Sequence, residues 1–175
     1  MTFEPGSALL VIDMLNDFIE DGGSLVVPGA RRIVPRLAQI LEEARAAGIP
    51  VVFVTDSHRE DDLEFRHWPP HAVAGTWGSE VIDELKPLPG EYIVPKRRYS
   101  AFFGTDLDNY LRELGARKLY LTGVLTNICV YATALDASMR NYEVAVFRDA
   151  VASLGEDTDA FVFRQLQEVL QAELV

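Results

Sequence analysis

The sequence contains a single cysteine, Cys129, among its 175 residues. One thiol cannot form an internal disulfide, so we expect a reducing, cytoplasmic setting. No apolar run approaches the roughly 20 residues that span a bilayer, and residues 1–7 lack the pattern of a signal peptide.

Basic residues are also scarce, since 16 Lys and Arg stand against 27 Asp and Glu, for a formal net charge of -11. This balance argues against nucleic acid and membranes as partners and leaves a small-molecule substrate and a homo-oligomer open.

Short apolar runs alternate with helical patterns along the chain. Strands are predicted over residues 8–12, 50–55, 92–95, 118–122, 143–147 and 173–175. Helices are predicted over residues 29–47, 105–114 and 127–140 and from Asp157 onwards. Buried strands that alternate with helices imply an α/β fold, a three-layer open parallel sheet of about six strands with helices on both faces. The length fits one domain over residues 1–175.

The segment 56–78 breaks this alternation. It holds all three histidines and both tryptophans. A long loop inside a compact domain is usually functional or disordered, and its aromatic residues argue against disorder. We therefore expect it to contribute to a site.

Polar residues follow the predicted carboxyl ends of several strands, which is where open parallel sheets bind ligands. They come from distant parts of the chain: Asp13, Asp56, His58, Lys96, residues 123–129 and Asp149. Since the carboxyl ends of parallel strands share one edge of the sheet, we expect these residues along a common rim.

Cys129 is the natural nucleophile of such a rim. It lies near a predicted helix N-terminus, where free N–H groups and the helix dipole favour a thiolate. The histidines are confined to one loop, so a carboxylate must act as base, and Asp13 is the candidate. Lys96 could lower the pKa of both partners. The alternatives are an inert buried thiol, a turn-capping Asp13 and a solvated Lys96.

Asp56 and His58 lie two residues apart at a strand end, so both side chains can point the same way. His71 could return across the loop. One carboxylate and two imidazoles form a divalent-metal constellation that suits zinc, iron or manganese, with zinc as our first choice. The alternative is an exposed polar loop.

Together, these residues resemble the cysteine hydrolase superfamily that includes isochorismatases and nicotinamidases. The resemblance covers nearly the whole chain. Its motifs are VIDMLNDF at 11–18, DSH at 56–58, WPPH at 68–71, KRRYSAF at 96–102 and GVLTNICV at 123–130. The WPPH segment is typical of the nicotinamidase branch.

The resemblance implies a catalytic triad of Asp13, Lys96 and Cys129. It also implies a cis peptide at Val124–Leu125 that turns the Leu125 N–H towards the oxyanion. The activity it implies is hydrolysis of nicotinamide to nicotinate and ammonia through a cysteine thioester.

The resemblance further implies a metal on Asp56, His58 and His71. Glu64 would be an additional ligand, and His67 is the alternative to Glu64 in that role. The metal would position the pyridine ring, and Phe18, Trp68 and Tyr99 would line that ring, although Phe18 could equally be core. Two other interpretations stay open. One is a metal-independent amidase for a carbamoyl or maleamate-like substrate, and the other is a non-catalytic binding module on the same fold.

Overall fold

Six parallel strands form the central sheet of the protein, as a computed structural model describes it for residues 3–175. The order across the sheet is β3-β2-β1-β4-β5-β6. The strands are β1 (Ser7–Ile12), β2 (Val51–Asp56), β3 (Tyr92–Lys96), β4 (Lys118–Val124), β5 (Glu143–Ala152) and β6 (Glu173–Leu174). The predicted open parallel sheet of about six strands is confirmed.

Helices cover both faces of this sheet. They are α1 (Asn16–Ile19), α2 (Ala30–Ala46), α3 (Leu107–Glu113), α4 (Tyr131–Met139) and α5 (Glu156–Glu168). Helix α2 packs on one face together with α1, whereas α3, α4 and α5 contribute to the core on the other face. The three-layer α/β architecture is therefore as predicted.

The period-two geometry of a strand explains how one apolar run serves both cores. In β1, Leu9 and Val11 face the core beneath α2. Their neighbours Leu10 and Ile12 face the core beneath the other helices. All residues of β1 are buried, which is why the run does not alternate with polar residues.

Several boundaries differ from the prediction. Strand β5 extends to Ala152 instead of residue 147, because its pairing with β4 shifts register and resumes at Gly123 and Val151. Helix α5 begins at Glu156, with Gly155 rather than Asp157 at its N-cap. The predicted helix from residue 127 starts as a π-helical turn over Thr126–Val130.

The order of the strands places a switch point between β1 and β4. The chain runs outward from β1 to β2 and β3, then crosses to the other side of β1 to form β4. Ligands of such sheets bind at the carboxyl ends flanking this point. None of the helices within residues 3–175 is both long and apolar enough to cross a bilayer.

Candidate active site

Three strand ends deliver charged side chains to the switch point. Asp13 directly follows β1, Asp56 ends β2 and Lys96 ends β3. Asp56 and Lys96 are register partners in adjacent parallel strands, so their side chains leave the sheet side by side. Asp149 was expected on the same rim, but it lies within β5 and pairs with Arg36 at 2.8 Å.

Lys96 is the centre of this group. Its Nζ atom lies 2.8 Å from Oδ2 of Asp13 and 2.5 Å from Oδ1 of Asp56. The same ammonium lies 3.4 Å from the Sγ atom of Cys129. All four side chains are buried. The structure thus brings the three residues of the expected triad into contact.

The backbone at Asp13 fixes its carboxylate. Asp13 has a φ of 52°, a left-handed conformation that non-glycine residues rarely adopt and that often marks functional sites. Its Oδ1 atom accepts a hydrogen bond of 2.7 Å from the N–H of Asp56. The remaining oxygen, Oδ2, faces Lys96.

Burial dominates the protonation of this cluster. Burial and the neighbouring carboxylate of Asp56 raise the pKa of Asp13 to about 6, against the opposing influence of Lys96. Burial also raises the pKa of the Cys129 thiol well above its usual value, although Lys96 acts in the opposite direction. The expectation that the helix N-terminus favours a thiolate stays a prediction, and burial acts against it. Attack by Cys129 then depends on a neighbouring base that takes the thiol proton.

Cys129 lies on the π-helical turn that connects β4 to α4. A cis peptide between Val124 and Leu125 precedes this turn, at the position implied by the resemblance. Gly123 has a φ of 104° and lies against the carbonyl of Ile12, so that a side chain there would overlap the neighbouring strand.

A second buried group lies beside the first. Asp56, His58 and His71 each offer one possible ligand atom, a carboxylate oxygen or an imidazole nitrogen, and these three atoms lie within 4.8 Å of one another. The Nε2 atoms of the two histidines are 3.6 Å and 4.0 Å from Oδ2 of Asp56, respectively. Within residues 3–175, neither ring nitrogen of the buried His58 has a hydrogen-bond partner. A buried imidazole nitrogen without a partner, next to a carboxylate and a second imidazole, fits a divalent cation.

The two further candidates for this metal group lie differently. Glu64 is buried and borders a cavity next to this metal group. Its carboxylate is not one of the three clustered ligand atoms and lies 3.7 Å from Arg98. Burial, together with Asp56, raises the pKa of Glu64. His67 is exposed to solvent. Of these two, only Glu64 is positioned near the group.

A small cavity of about 30 Å³ connects the two groups. Cys129, Asp56 and His71 all line it, and ligand atoms of Asp56 and Cys129 lie within 4.8 Å of each other. The three aromatic residues expected around a substrate ring also line it: Phe18, Trp68 and Tyr99. The indole Nε1–H of Trp68 donates to the hydroxyl of Tyr99 at 3.1 Å, which fixes the relative position of these two side chains.

Sequence reasoning missed several residues of this site. Leu25 and Ile128 also line the cavity, and Ile128 could have been inferred as the immediate neighbour of Cys129. Asp17 accepts a hydrogen bond of 2.7 Å from the N–H of Ala72 and so anchors the loop next to His71.

Asp62 was also missed. Its side chain lies 3.3 Å from Nδ1 of His58, and both side chains are fully buried. The available signal was a carboxylate four residues after a candidate metal ligand.

Two curated relatives align with almost the whole chain. The uncharacterized isochorismatase family protein PncA of Bacillus subtilis (strain 168) is 37% identical over an alignment of 179 positions. This alignment covers 95% of this chain and 97% of the relative. The ureidoacrylate amidohydrolase RutB of Rhizobium rhizogenes is 32% identical over an alignment of 184 positions. This alignment covers 90% of this chain and 75% of the relative.

Solved structures with different names share the fold. N-carbamoylsarcosine amidase from Thermoplasma acidophilum is 41% identical with a TM-score of 0.88, covering 96% of this chain and 94% of that one. Nicotinamidase PncA from Bacillus subtilis is 34% identical with a TM-score of 0.92, covering 97% and 99%. Pyrazinamidase of Pyrococcus horikoshii, in complex with zinc, is 33% identical with a TM-score of 0.91, covering 98% and 99%.

The isochorismatase domain matches residues 7–173. This match includes all the strands that carry the buried cluster. The chain therefore belongs to the isochorismatase family of hydrolases.

Proposed function

We propose that the protein hydrolyses nicotinamide to nicotinate and ammonia, with Cys129 as the nucleophile. The observation that carries this proposal is the single cavity between Cys129 and the Asp56–His58–His71 group, lined by aromatic side chains. A flat ring that carries a carboxamide would use both groups, with the thiol next to the carboxamide carbon and the cation ligands next to a ring nitrogen.

Asp13 acts as the general base. It takes the proton from the thiol as Sγ of Cys129 attacks the carboxamide carbon and forms a tetrahedral oxyanion. We assign the N–H groups of Leu125 and Cys129 as donors to this oxyanion, a role worth about 3–4 kcal/mol per donor. Asp13 then donates its proton to the amide nitrogen, and ammonia leaves.

The resulting thioester is hydrolysed with the same base. Asp13 removes a proton from a water molecule, whose oxygen attacks the thioester carbon. The carbon–sulfur bond then breaks, the proton passes from Asp13 to the sulfur, and the nicotinic acid that forms releases its own proton to solvent as nicotinate. Lys96 stays protonated throughout, because two carboxylates and the sulfur surround it and its pKa is raised well above the usual value. Its positive charge stabilises the thiolate that each half-reaction creates or releases.

Asp56, His58 and His71 would hold a divalent metal, for which zinc is our first choice. Such an ion supplies a positive charge and an open ligand position for the pyridine nitrogen or for a water that contacts it. Stacking of the substrate ring among Phe18, Trp68 and Tyr99 would add about 0.5–1.5 kcal/mol per aromatic contact beyond area burial. A reducing cytoplasm suits a protein that depends on one free thiol.

The second candidate is a related amidase that acts on a carbamoyl or ureido substrate. The similarity to N-carbamoylsarcosine amidase at 41% identity favours it. Such an enzyme would use the same Asp13, Lys96 and Cys129. However, it would not need the buried Asp56–His58–His71 group as a ligand set for the substrate ring.

Ammonia release from nicotinamide tests the proposal. The zinc-loaded protein should release ammonia, and Cys129→Ala should release none while it still binds zinc and keeps its thermal stability. Absence of ammonia from the wild type would overturn the substrate, and activity in the variant would overturn the nucleophile.

N-carbamoylsarcosine and ureidoacrylate, assayed in parallel with and without a chelator, separate the two candidates. A nicotinamidase should lose activity with the chelator and recover it with added zinc. Preferred hydrolysis of a carbamoyl substrate that is insensitive to the chelator would support the second candidate instead.

A further inference from the structure

We propose that Asp62 is a positioning residue that orients His58 for metal binding. This inference rests on the proposed metal site at Asp56, His58 and His71. It assigns a role to a carboxylate that does not line the cavity and touches neither substrate nor the reacting sulfur.

Two buried carboxylates flank the ring of His58. Nδ1 lies 3.3 Å from Oδ2 of Asp62, and both side chains are fully buried, although the angles at this contact are not those of a hydrogen bond. Nε2 points to the other side, 3.6 Å from Oδ2 of Asp56. A proton on Nδ1 directed at Asp62 leaves the lone pair of Nε2 facing the metal group. Histidine ligands are usually oriented in this way by a carboxylate or carbonyl behind the ring.

The carboxylate of Asp62 is itself fixed from three directions. Its two oxygens accept hydrogen bonds of 3.0 Å from Nε of Arg97 and 3.0 Å from Nη1 of Arg98. The backbone N–H of Glu64 donates a third, of 3.1 Å. Two guanidinium groups keep this carboxylate charged and prevent it from turning into the metal group as a ligand.

His71 has a comparable arrangement, which supports the same interpretation of the site. Its Nδ1 lies 2.7 Å from the carbonyl oxygen of Pro69. A carbonyl can only accept, so Nδ1 carries the proton and Nε2 is left to face Asp56. Both imidazoles therefore present Nε2 to one point, with an acceptor behind each ring.

A purely structural role for Asp62 makes a different prediction. Asp62 is the N-cap of the short 3₁₀ turn Leu63–Arg66, and loss of a cap alone would lower stability without weakening a preformed metal site. Asparagine is as good a cap as aspartate. Asp62→Asn therefore keeps the cap and removes the charge behind His58.

The test measures the dissociation constant for Zn²⁺ by competition with a chromogenic chelator. Asp62→Asn should bind zinc about 10–100-fold more weakly than the wild type, the usual effect of changing an outer-shell partner. Asp61→Asn is the matched control. Asp61 is an exposed neighbour that pairs with Arg59, and its replacement should leave zinc affinity unchanged. Thermal unfolding without metal should show a lower midpoint for Asp62→Asn, which loses its ion pairs with Arg97 and Arg98, so zinc affinity is compared at a temperature where all three proteins are folded.

Nitrogen-15 NMR of the histidine rings without metal gives an independent measurement. The wild type should show the proton of His58 on Nδ1, and Asp62→Asn should shift the equilibrium towards Nε2. Unchanged zinc affinity, or an unchanged tautomer in Asp62→Asn, would overturn the role of Asp62. A wild type that binds no zinc would overturn it as well. A wild type that binds zinc but releases no ammonia from nicotinamide would overturn only the substrate.

Discussion

The ammonium of Lys96 lies 2.8 Å from the carboxylate of Asp13, and both side chains are excluded from solvent. The same ammonium contacts Asp56, so one buried cation pairs with two buried carboxylates. This arrangement joins the reacting sulfur to the metal group, because Asp56 belongs to both. The stability of the site and its chemistry therefore depend on one lysine.

Lys96→Met should both inactivate and destabilise the protein. Removal of one member of a buried ion pair leaves an uncompensated charge, which typically costs about 3–5 kcal/mol. The control is Lys86→Met, which removes an exposed ion pair with Asp83 and should change stability by less than about 0.5 kcal/mol. Urea denaturation of the metal-free proteins measures both. Equal stability of the two variants would show that Lys96 does not hold the carboxylates together.

The fall of kcat/KM at low pH, the acid limb of the pH profile, should follow the protonation of Asp13. The general base works only when ionised, and its pKa is raised to about 6 in the folded protein. Since kcat/KM reports the free enzyme, it should be constant above this value and fall roughly tenfold per pH unit below it.

Glu64→Gln provides the control for this pH profile. The pKa of the buried Glu64 is also raised, so its carboxyl is the rival source of an acid limb. The limb should persist in Glu64→Gln, whatever the absolute rate of the variant. If the limb disappears, Glu64 rather than Asp13 is the group that titrates.

The sequence could predict the strand ends because its buried strands are unambiguous. Parallel strands align their carboxyl ends, so Asp13, Asp56 and Lys96 had to lie along one rim once β1, β2 and β3 were recognised. The effect of burial on the Cys129 thiol could not be predicted in this way. Burial raises the pKa of this thiol, and it follows from packing between distant residues and not from proximity to a helix N-terminus.

The contacts of the loop after β2 were also beyond prediction. Its path is fixed by the pairing of His58 with Val73 and by Asp17, which binds the N–H of Ala72. These are contacts between residues distant in sequence, and no local pattern encodes them. The role proposed for Asp62 arises from this path. The predicted end of β5 at residue 147 was wrong because the charged pair Arg148 and Asp149, which is exposed, resembles the end of a strand.

His67 and His71 should differ sharply in their effect on metal binding. His71 is buried with Nε2 4.0 Å from Asp56, whereas His67 is exposed. His71→Ala should weaken zinc binding by at least the 10–100-fold that is typical of changes around a metal site. His67→Ala should bind zinc as the wild type does. Equilibrium dialysis followed by metal analysis compares them, and equal zinc content would remove His71 from the ligand set.

Gly123→Ala should disturb the junction between β1 and β4 far more than an ordinary glycine replacement. Gly123 has a φ of 104°, and an added Cβ would overlap the carbonyl of its register partner Ile12. Left-handed strain and overpacking together should cost about 2–4 kcal/mol. Gly48→Ala is the control, because Gly48 also has a positive φ, of 67°, but has no atom within 4 Å of an added Cβ, and should cost about 1 kcal/mol.

Ile12 immediately precedes Asp13, and Gly123 immediately precedes the cis peptide at Val124–Leu125. Displacement of the two strands at this point would therefore move the base away from the sulfur, and Gly123→Ala should lose ammonia release even at temperatures where it remains folded. Urea denaturation and the ammonia assay, run on both glycine variants, measure the two effects separately. Equal unfolding free energies for the two variants would contradict the close approach of β1 and β4, because both glycines have a positive φ but only Gly123 would overlap a neighbouring strand.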